Sequence, residues 1–239
     1  MTYFSSTYRS KEPEFMDEFD LQGVEMERVL TDLKNVNRLL GGNKVTRKGI
    51  AYLLKNAPKN KVYTLIDIGC GDGEMLRQCA RFGKYNGYNF QLIGIDANGY
   101  ILKEARKRSS NFSNIQYLNN DLFSPTTTLP ECDIALCTLF LHHFEEAKII
   151  QLLTKLSEVS KVGVVVNDLQ RSRLSFVLFS VVRHFLLRTK TARNDGLVSI
   201  ARGFKRKELE LLSEKIPKQT SRIRWKWAFR YQWILKTIN

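Results

Sequence analysis

The sequence predicts a single α/β domain whose central sheet is mostly parallel and covered by helices on both faces. Apolar runs rich in β-branched residues alternate with helical segments along the middle of the chain, which is the order of a doubly wound parallel sheet. Near the C-terminus the pattern changes to strict alternation of polar and apolar residues, which predicts an antiparallel hairpin with one solvated face. With 239 residues, of which 43% are hydrophobic, the chain can bury a core for such a domain.

Two helices are expected before the first strand. Apolar residues recur at helical spacing over Phe15–Leu40, and Gly41-Gly42 end the pattern, because glycine adopts the left-handed conformation of a helix end at little cost. A second, shorter helix is expected over about Thr46–Lys55. Residues 1–60 are therefore assigned to an N-terminal helical cap, and residues 61–239 to the main part of the same domain.

Five apolar runs predict the parallel strands, since a strand buried on both faces reads as a continuous hydrophobic segment. These runs are Val62–Ile68, Gln91–Ile95, Ile115–Leu118, Ile134–Thr138 and Val162–Val166. Helical segments separate most of them, at Glu74–Phe82, Tyr100–Arg108 and Glu145–Val159. From Ser221 onward basic residues alternate with apolar ones, and Tyr231–Thr237 can form the partner strand of a hairpin.

The segment Leu174–Leu187 is the most apolar stretch, and it is expected to form the helix after the fifth strand. Four polar residues interrupt it, and it is too short to span a bilayer. A helix that is apolar nearly all round is expected to be buried, so packing in the core is the first interpretation. A partial lid over an apolar ligand is the second.

The net charge of +14 is concentrated in the last third of the chain. Residues 171–239 contain 17 Lys and Arg against 4 Asp and Glu, whereas residues 1–170 contain 21 against 20. Such a basic surface can meet nucleic acid, an anionic membrane face or an anionic ligand, or it can serve solvation alone. The N-terminal residues lack the apolar core of a signal peptide, which predicts a cytoplasmic protein. The four cysteines are scattered along the chain, so neither a disulfide framework nor a zinc site is expected.

The most specific motif follows the first strand, where Leu65–Gly73 reads LIDIGCGDG. Gly69, Gly71 and Gly73 are spaced G-x-G-x-G, whereas dinucleotide sites typically use G-x-G-x-x-G. Asp67 precedes the first glycine at the strand end. A carboxylate there would repel a pyrophosphate but would suit the ammonium group of a methionine moiety.

Acidic residues also end the second and third strands. Asp96 can accept hydrogen bonds from both ribose hydroxyls of a nucleoside. Asp121 can accept from an adenine amine, and Leu122 can cover the ring. Any one of these acids could be an ordinary helix cap, but acids at three successive strand ends are hard to explain in that way. The spacing therefore predicts a nucleoside cofactor with a cationic end.

These residues, namely Asp67–Gly73, Asp96 and Asp121-Leu122, resemble the cofactor motifs of class I S-adenosylmethionine-dependent methyltransferases. The resemblance implies a Rossmann-like fold with a seven-stranded, mostly parallel sheet, a C-terminal antiparallel hairpin and N-terminal helices. It also implies S-adenosylmethionine as the cofactor. Cys70, Ala97 and Thr138 are then expected to contact the cofactor as well.

A second set of segments carries a closer resemblance that covers nearly the whole chain. The segments are Glu14–Asp17, Asn37-Arg38, Cys137–Phe144, Asn167–Ser172 and Asn194–Gly196. They look like a bacterial subgroup of these methyltransferases whose members often accompany type III polyketide synthases and phenolic-lipid pathways. This resemblance implies a small phenolic, quinol or polyketide-derived acceptor.

Chemistry in open α/β sheets takes place beyond the carboxyl ends of the strands. His142 and His143 follow strand four, and either could accept the proton of a hydroxyl acceptor, or one could serve only as a helix cap. After strand five, Asn167, Asp168 and Arg171 are candidates for binding the acceptor. Asp168 could instead be a structural acid, paired with an arginine nearby.

No catalytic metal is expected. Metal-dependent relatives on quinone pathways carry a Glu-x-x-Glu-His set after strand four. Aligned on His143, the two glutamates would fall at Leu139 and His142, and neither is a carboxylate.

Three functions are compared. O-methylation of a small acceptor is the first. RNA methylation is the alternative that the basic C-terminal third supports, but the segment Cys137–Phe140 has no proline, whereas base-methylating loops typically do. A noncatalytic binding protein would not need intact cofactor motifs.

A peripheral contact with an anionic membrane is also expected, through basic residues beside the apolar segment: Arg183, Arg188, Lys190 and Arg193.

Overall fold

The computed structural model describes residues 2–17 and 23–238. Within these residues, seven strands form one sheet: β1 (Val62–Ile68), β2 (Asn89–Asp96), β3 (Ile115–Asn119), β4 (Cys132–Thr138), β5 (Ser160–Leu169), β6 (Gln219–Lys226) and β7 (Arg230–Thr237). The helices are α1 (Gly23–Leu39), α2 (Gly42–Leu53), α3 (Glu74–Asn86), α4 (Gly99–Arg108), α5 (Glu146–Val159), α6 (Arg173–Leu186), α7 (Lys190–Arg202) and α8 (Arg206–Glu214).

The strand order is β3-β2-β1-β4-β5-β7-β6. Strands β1 to β5 pair in parallel, and β7 runs antiparallel to both β5 and β6. The predicted parallel sheet and closing hairpin are therefore confirmed. Because β1 pairs with β2 on one side and with β4 on the other, the chain order reverses between β1 and β4, and a crevice opens at the carboxyl ends of these strands.

Both faces of the sheet are covered, which explains the continuous apolar runs of the central strands. On one face α2, α3 and α4 pack against β1, β2 and β5 through buried residues such as Ile50, Leu76 and Leu102. On the other face α5 buries Leu152 against β4 and β5, and α8 buries Leu209 against β6 and β7. All four cysteines are buried free thiols.

The predicted elements differ from the observed ones mainly at their ends, whereas α7 and α8 were not predicted. The expected helix Phe15–Leu40 is a short 3-10 turn at Phe15–Asp17 followed by α1, and residues 18–22 of that prediction lie outside the described residues. Gly41 has a φ of 69° and separates α1 from α2, as expected of a helix end. Strand β5 extends beyond the predicted Val166 to Leu169, so Asn167 and Asp168 belong to a strand and not to a loop.

The apolar segment forms α6, but its prediction as a core helix is wrong. Only Ser175 of this helix is buried, whereas most of its large apolar residues are exposed. The reason is that α5 and α8 already cover this face of the sheet, so α6 packs against α7 and α1 instead. Among the described residues, no helix is long and apolar enough to cross a membrane.

Candidate active site

A cavity of about 550 Å³ lies where the strand order reverses, at the carboxyl ends of β1, β2 and β4. The loops after these strands form one side of it. Helices α1 and α7 form the other side with apolar and small residues: Val29, Leu30, Leu33, Ala192, Gly196 and Ser199. The N-terminal segment adds Glu14 and Met16 to the wall. The cavity is thus built from parts of the chain that are far apart in sequence.

The glycine loop after β1 has the geometry that its sequence requires. Gly69 has a φ of 63° and lies under the ring of Phe140, where an added Cβ would be only 2.1 Å from a ring carbon. Gly71 has a φ of 52°, and no atom lies within 4 Å of the place where its Cβ would be. The loop therefore exposes its backbone to the cavity while Phe140 closes over its first glycine.

Asp67 lies at the end of β1 with its carboxylate against the cavity. No donor of the described residues bonds this carboxylate, although the residue is only 2% exposed. Burial, together with the nearby charge of Asp96, raises the pKa of Asp67 to about 8. A buried carboxyl group without a cationic partner fits the ammonium end of an amino acid ligand.

Asp96 and Asp121 lie on the same side of the cavity. The carboxylate of Asp96 accepts hydrogen bonds from the backbone N–H groups of Gly71 (3.0 Å) and Asn98 (2.9 Å). Asp96 therefore ties the glycine loop to the loop after β2. Asp121 is exposed and accepts from the N–H of Phe123 at 2.9 Å, which fixes its carboxylate beside the cavity.

The structure brings together nearly all the residues expected to contact the cofactor. The cavity is lined by Asp67, Gly69, Cys70, Gly71, Asp96, Ala97, Asp121, Leu122 and Thr138. Gly73 does not line it, and instead makes room for the hydroxyl of Tyr117, which would lie 1.9 Å from an added Cβ. Sequence reasoning missed Asn98, although it follows Asp96 by two residues and caps α4. Lys34 and Asn37 of α1 were also missed, because nothing in their spacing relates them to the strand ends.

The two histidines after β4 have different surroundings. His142 is buried, with Nδ1 2.7 Å from Oδ1 of Asp168 and Nε2 3.3 Å from Oε1 of Glu14. Burial opposes the charged imidazole, but the two carboxylates outweigh it and raise the pKa of His142 to about 9. His142 is therefore protonated at neutral pH and is unsuited to accept a proton there.

His143 lines the cavity, with 19% of its side chain exposed. Its Nδ1 is 4.0 Å from Oε1 of Glu14. Two phenylalanine rings are its neighbours, Phe140 at 6.3 Å and Phe144 at 6.4 Å between ring centroids, and Phe123 packs on Phe144 at 4.8 Å. Of the two candidate bases, His143 is the one with an accessible ring beside an aromatic wall.

Glu14 was not predicted as a site residue. It is buried, accepts a hydrogen bond from Ser199 Oγ at 2.8 Å, and lies beside both histidines. Burial alone would raise the pKa of Glu14, but the hydrogen bond and charge of His142 lower it below the usual value. Asp195 holds this segment in place by accepting from the backbone N–H groups of Phe15 and Met16, both at 3.0 Å. The segment around Glu14 carries only the family resemblance, and no spacing rule relates it to His142.

The three residues expected to bind the acceptor do not line the cavity. Asn167 is buried and donates to the carbonyl of Gly42 and to Thr46 Oγ1, both at 3.0 Å. Asp168 is bonded to His142 and not to an arginine. Arg171 is buried, forms an ion pair with Glu208 and donates to the carbonyl of Gly203 at 2.7 Å. The expectation is corrected accordingly: these side chains fasten the ends of β5 to neighbouring elements, because β5 is longer than its apolar run indicated.

Within residues 2–17 and 23–238, one set of three side chains could hold a metal ion: Glu14, His142 and His143, whose ligand atoms lie within 4.8 Å of one another. This set differs from the Glu-x-x-Glu-His pattern considered above. A metal ligand histidine must be neutral, whereas His142 is held as a cation between Asp168 and Glu14. A metal here would therefore have to displace a proton that two carboxylates stabilise.

Residues 65–163 match the sequence family described as a methyltransferase domain. None of the curated protein sequences matches the chain significantly. Among solved structures, the plantazolicin methyltransferase BpumL in complex with SAH is similar over 88% of this chain and 90% of that chain, with 16% sequence identity and a TM-score of 0.67.

Two further structures have the same fold. Magnesium protoporphyrin IX methyltransferase (ChlM) from Synechocystis PCC 6803 with bound SAH covers 83% of this chain and 84% of its own, with 12% identity and a TM-score of 0.55. The CurJ carbon methyltransferase covers 82% of this chain and 54% of its own, with 15% identity and a TM-score of 0.60. Their names point to different acceptors, so the shared fold leaves the acceptor to be inferred from the site of this chain.

Proposed function

We propose that this chain, an S-adenosylmethionine-dependent methyltransferase, acts on a hydroxyl oxygen of a small phenolic, quinol or polyketide-derived acceptor, with His143 as the general base. The observation that carries this proposal is the position of His143 on the cavity wall, between an aromatic cluster and the carboxylate of Glu14. An accessible imidazole is suited to proton transfer near neutral pH.

The cofactor residues have distinct proposed roles. Asp67 would bind the ammonium group of the methionine moiety, and the backbone of Gly69 and Gly71 would lie against it. Asp96 would accept from the ribose hydroxyls, while Asp121 and Leu122 would contact the adenine. When bound, S-adenosylmethionine supplies a methyl group activated by its sulfonium charge. The buried carboxyl group of Asp67, which accepts no hydrogen bond from the described residues, is the feature of this chain that best fits such a ligand.

His143 and Glu14 would act together on the acceptor. As the hydroxyl loses its proton to the imidazole of His143, that ring becomes a cation. The Glu14 carboxylate 4.0 Å away favours this charge, whereas the cationic ring of His142, 4.3 Å away between centroids, opposes it. His142 and Asp168 act through Glu14 as positioning residues. Because His142 is hydrogen-bonded to Asp168 and its Nε2 lies 3.3 Å from Oε1 of Glu14, its positive charge favours the ionised form of Glu14 beside His143.

The apolar wall supports a small aromatic acceptor. Phe140 and Phe144 lie beside His143, and Phe123 extends this aromatic wall by packing against Phe144. Aromatic pairs of this kind prefer tilted and edge-to-face contacts, with centroids about 4.5–7 Å apart. Residues of α1 and α7 complete an apolar enclosure on the opposite side.

A methyl-transfer assay with a panel of phenols tests the proposal. His143→Gln is expected to lower kcat on the best phenol about 100-fold or more, while the cofactor affinity measured by calorimetry is retained. His184→Gln is the matched control, since His184 is the third histidine of the chain and is exposed on α6. If His143→Gln retains full activity on every acceptor that the wild-type enzyme methylates, His143 is not the base.

RNA methylation is the alternative that the basic residues of the C-terminal third favour. Total RNA is therefore included in the acceptor panel. Methylation of RNA without methylation of any phenol would replace the small-acceptor proposal. The apolar and aromatic cavity wall around His143 favours the small acceptor.

We further propose that α6 places the enzyme on an anionic membrane surface, where an apolar acceptor would partition. The exposed side chains of α6 form one stripe along the helix: Leu174, Val177, Leu178, Val181, Val182 and Phe185, the last of which is 87% exposed. Between Asp168 and Asp195 the sequence has six arginines and lysines and no acid. An apolar stripe flanked by cations is typical of helices that lie in a membrane interface.

The inner side of α6 relates this surface to the active site. Phe179 lies against Gly196, where an added Cβ would be 2.5 Å from the ring, and Gly196 lines the cavity. Helix α6 is thus separated from the cavity by one helix, α7. An acceptor dissolved in the bilayer would have a short path to the site.

Vesicle sedimentation tests the membrane contact. The wild-type protein is expected to bind vesicles of equimolar phosphatidylcholine and phosphatidylglycerol, to lose binding at high salt, and to ignore vesicles of phosphatidylcholine alone. Phe185→Ser should weaken this binding severalfold, whereas Tyr85→Ser, which removes a 91% exposed aromatic residue from α3, should not. Equal binding to both kinds of vesicle, or no effect of Phe185→Ser, would exclude α6 as a membrane contact.

A further inference from the structure

A second concave region lies beside the apolar cavity, and α1 borders both. It is a groove of about 780 Å³ between α1, α2 and α3, with the end of α4 at its edge. It shares the wall residues Lys34, Asn37, Asn43 and Glu74 with the active-site cavity. The groove and the cavity are therefore adjacent, so one molecule could occupy both.

The groove is strongly basic. Its lining includes seven cationic residues, Lys34, Arg38, Lys44, Arg47, Arg77, Arg81 and Arg108, and a single acidic residue, Glu74. Two of the cations are engaged by the buried Asp72, which lies 3.1 Å from Arg77 and 2.8 Å from Arg108. Lys34 is 4.0 Å from Glu74.

The remaining four cations have no carboxylate within ion-pair distance among the described residues: Arg38, Lys44, Arg47 and Arg81. In addition, Nε of Arg47 is buried and has no hydrogen-bond partner in the part of the chain that the structure describes. A buried donor without a partner costs free energy, which a ligand oxygen would relieve. Like charges held around one concave surface also repel one another until an anion enters.

The chemistry of the side chains specifies the kind of anion. Arginine presents parallel N–H donors that match the oxygens of a phosphate, and it keeps its charge at all physiological pH values. Three of the four unpaired cations are arginines. Several of them around a single groove fit a group with more than one negative charge better than they fit a single carboxylate.

We propose that this groove binds a phosphate or pyrophosphate ester carried by the methyl acceptor, while the acceptor's hydroxyl lies in the adjacent cavity near His143. The inference extends the proposed function, and it rests on that function only for the identity of the molecule that fills the cavity. The groove as an anion site is testable separately, because binding of a simple anion does not require methyl transfer.

Inorganic pyrophosphate is the probe, and calorimetry on the full chain is the measurement. The wild-type protein is expected to bind pyrophosphate with an affinity that falls as salt is raised. Arg38→Gln combined with Arg81→Gln should weaken binding at least tenfold, since both side chains are exposed and their loss should leave the fold intact. The matched control removes two exposed lysines elsewhere, Lys103→Gln with Lys207→Gln, and should change binding less than twofold.

Two outcomes would overturn the inference, and a third would reject only the proposed acceptor. If the wild-type protein and the Arg38/Arg81 variant bind pyrophosphate equally, the groove is not an anion site and the inference fails. A single-stranded RNA oligonucleotide serves as a second probe. If the wild-type protein binds it much more tightly than pyrophosphate, and the Arg38/Arg81 variant loses that affinity, the groove binds a nucleic-acid backbone. The proposal of a phosphate ester on a small acceptor is then wrong. Failure of every phenol in the methyl-transfer assay would instead reject the proposed acceptor without altering the binding result.

Discussion

Nδ1 of His142 lies 2.7 Å from Oδ1 of Asp168, with both side chains buried in the core beside the cavity. The residues belong to the loop after β4 and to β5, which are neighbouring strands of the sheet. On its other side the same imidazole approaches Glu14. A histidine between two carboxylates is a fixed cation, and it ties the N-terminal segment to the centre of the sheet.

Asp168→Asn is expected to destabilise the fold in a pH-dependent way. The pKa of His142 is raised from 6.5 to about 9, so its contribution to stability is fully present below pH 6.5 and is lost as the pH rises through 9. Removing one partner of a buried ion pair costs about 3 kcal/mol or more. Urea denaturation of both proteins should show a large difference at neutral pH that narrows at alkaline pH. An equal difference at both pH values would mean that the charge of His142 does not contribute.

Cofactor binding is expected to release a proton from Asp67. Its pKa is about 8 in the free protein, so the carboxyl is largely protonated at neutral pH, and a cationic ligand would favour the ionised form. The affinity for S-adenosylmethionine should therefore increase as the pH rises, by up to about tenfold per pH unit below pH 8, and then level off. Calorimetry in two buffers with different ionisation enthalpies measures the released proton. Asp67→Asn should abolish this release and Asp121→Asn should not; wild-type binding without proton release would contradict the assignment.

Asp96→Ala is expected to weaken cofactor binding by about 1.5–3 kcal/mol, the range for hydrogen bonds to a charged group. Because Asp96 also accepts from the N–H of Gly71, part of this loss would come from a looser glycine loop. Asp96→Asn separates the two effects, since the amide oxygen can still accept one backbone N–H. Unchanged affinity in Asp96→Ala, measured by calorimetry, would remove Asp96 from the cofactor site.

Methyl transfer is expected to continue in the presence of EDTA. Among the described residues, one set of side chains could hold a metal ion, and His142 belongs to it. The carboxylates of Asp168 and Glu14 favour the protonated imidazole of His142, which does not bind a metal. Activity should also be unchanged when magnesium or zinc is added after EDTA treatment. Loss of activity with EDTA and its recovery with one of these metals would show that the Glu14, His142 and His143 set is a metal site.

Gly69→Ala and Gly71→Ala are expected to differ, although both glycines have a positive φ. Each substitution strains the backbone, at a cost of about 1–2 kcal/mol. Only Gly69→Ala also places a methyl group 2.1 Å from the ring of Phe140. The Gly69 variant should therefore be the less stable by thermal denaturation, and adding Phe140→Ala should recover part of that loss. Equal stabilities with no recovery would mean that the ring does not pack against the loop.

The fold class and the glycine loop could be predicted because both depend on local sequence patterns. Continuous apolar runs fixed the places of β1 to β5, and the spacing of Gly69 and Gly71 behind Asp67 indicated the loop that lines the cavity. These features obey simple rules, since a strand covered on both faces must be apolar and a sharp turn under a ring must be glycine. Element ends were predicted less well, because β5 continues through the polar Asn167 and Asp168.

The sequence by itself therefore determined the sheet, its closing hairpin and the glycine loop that lines the cavity, whereas the tertiary structure decided which side chains meet on the opposite wall. Glu14 meets His142 and His143 only through the packing of the N-terminal segment on α7, and no local pattern encodes a contact across that separation. The same applies to α6, whose composition indicates burial but whose apolar stripe is exposed. Burial depends on which surfaces remain uncovered after the other helices have packed, and α5 and α8 leave no place for α6 on the sheet.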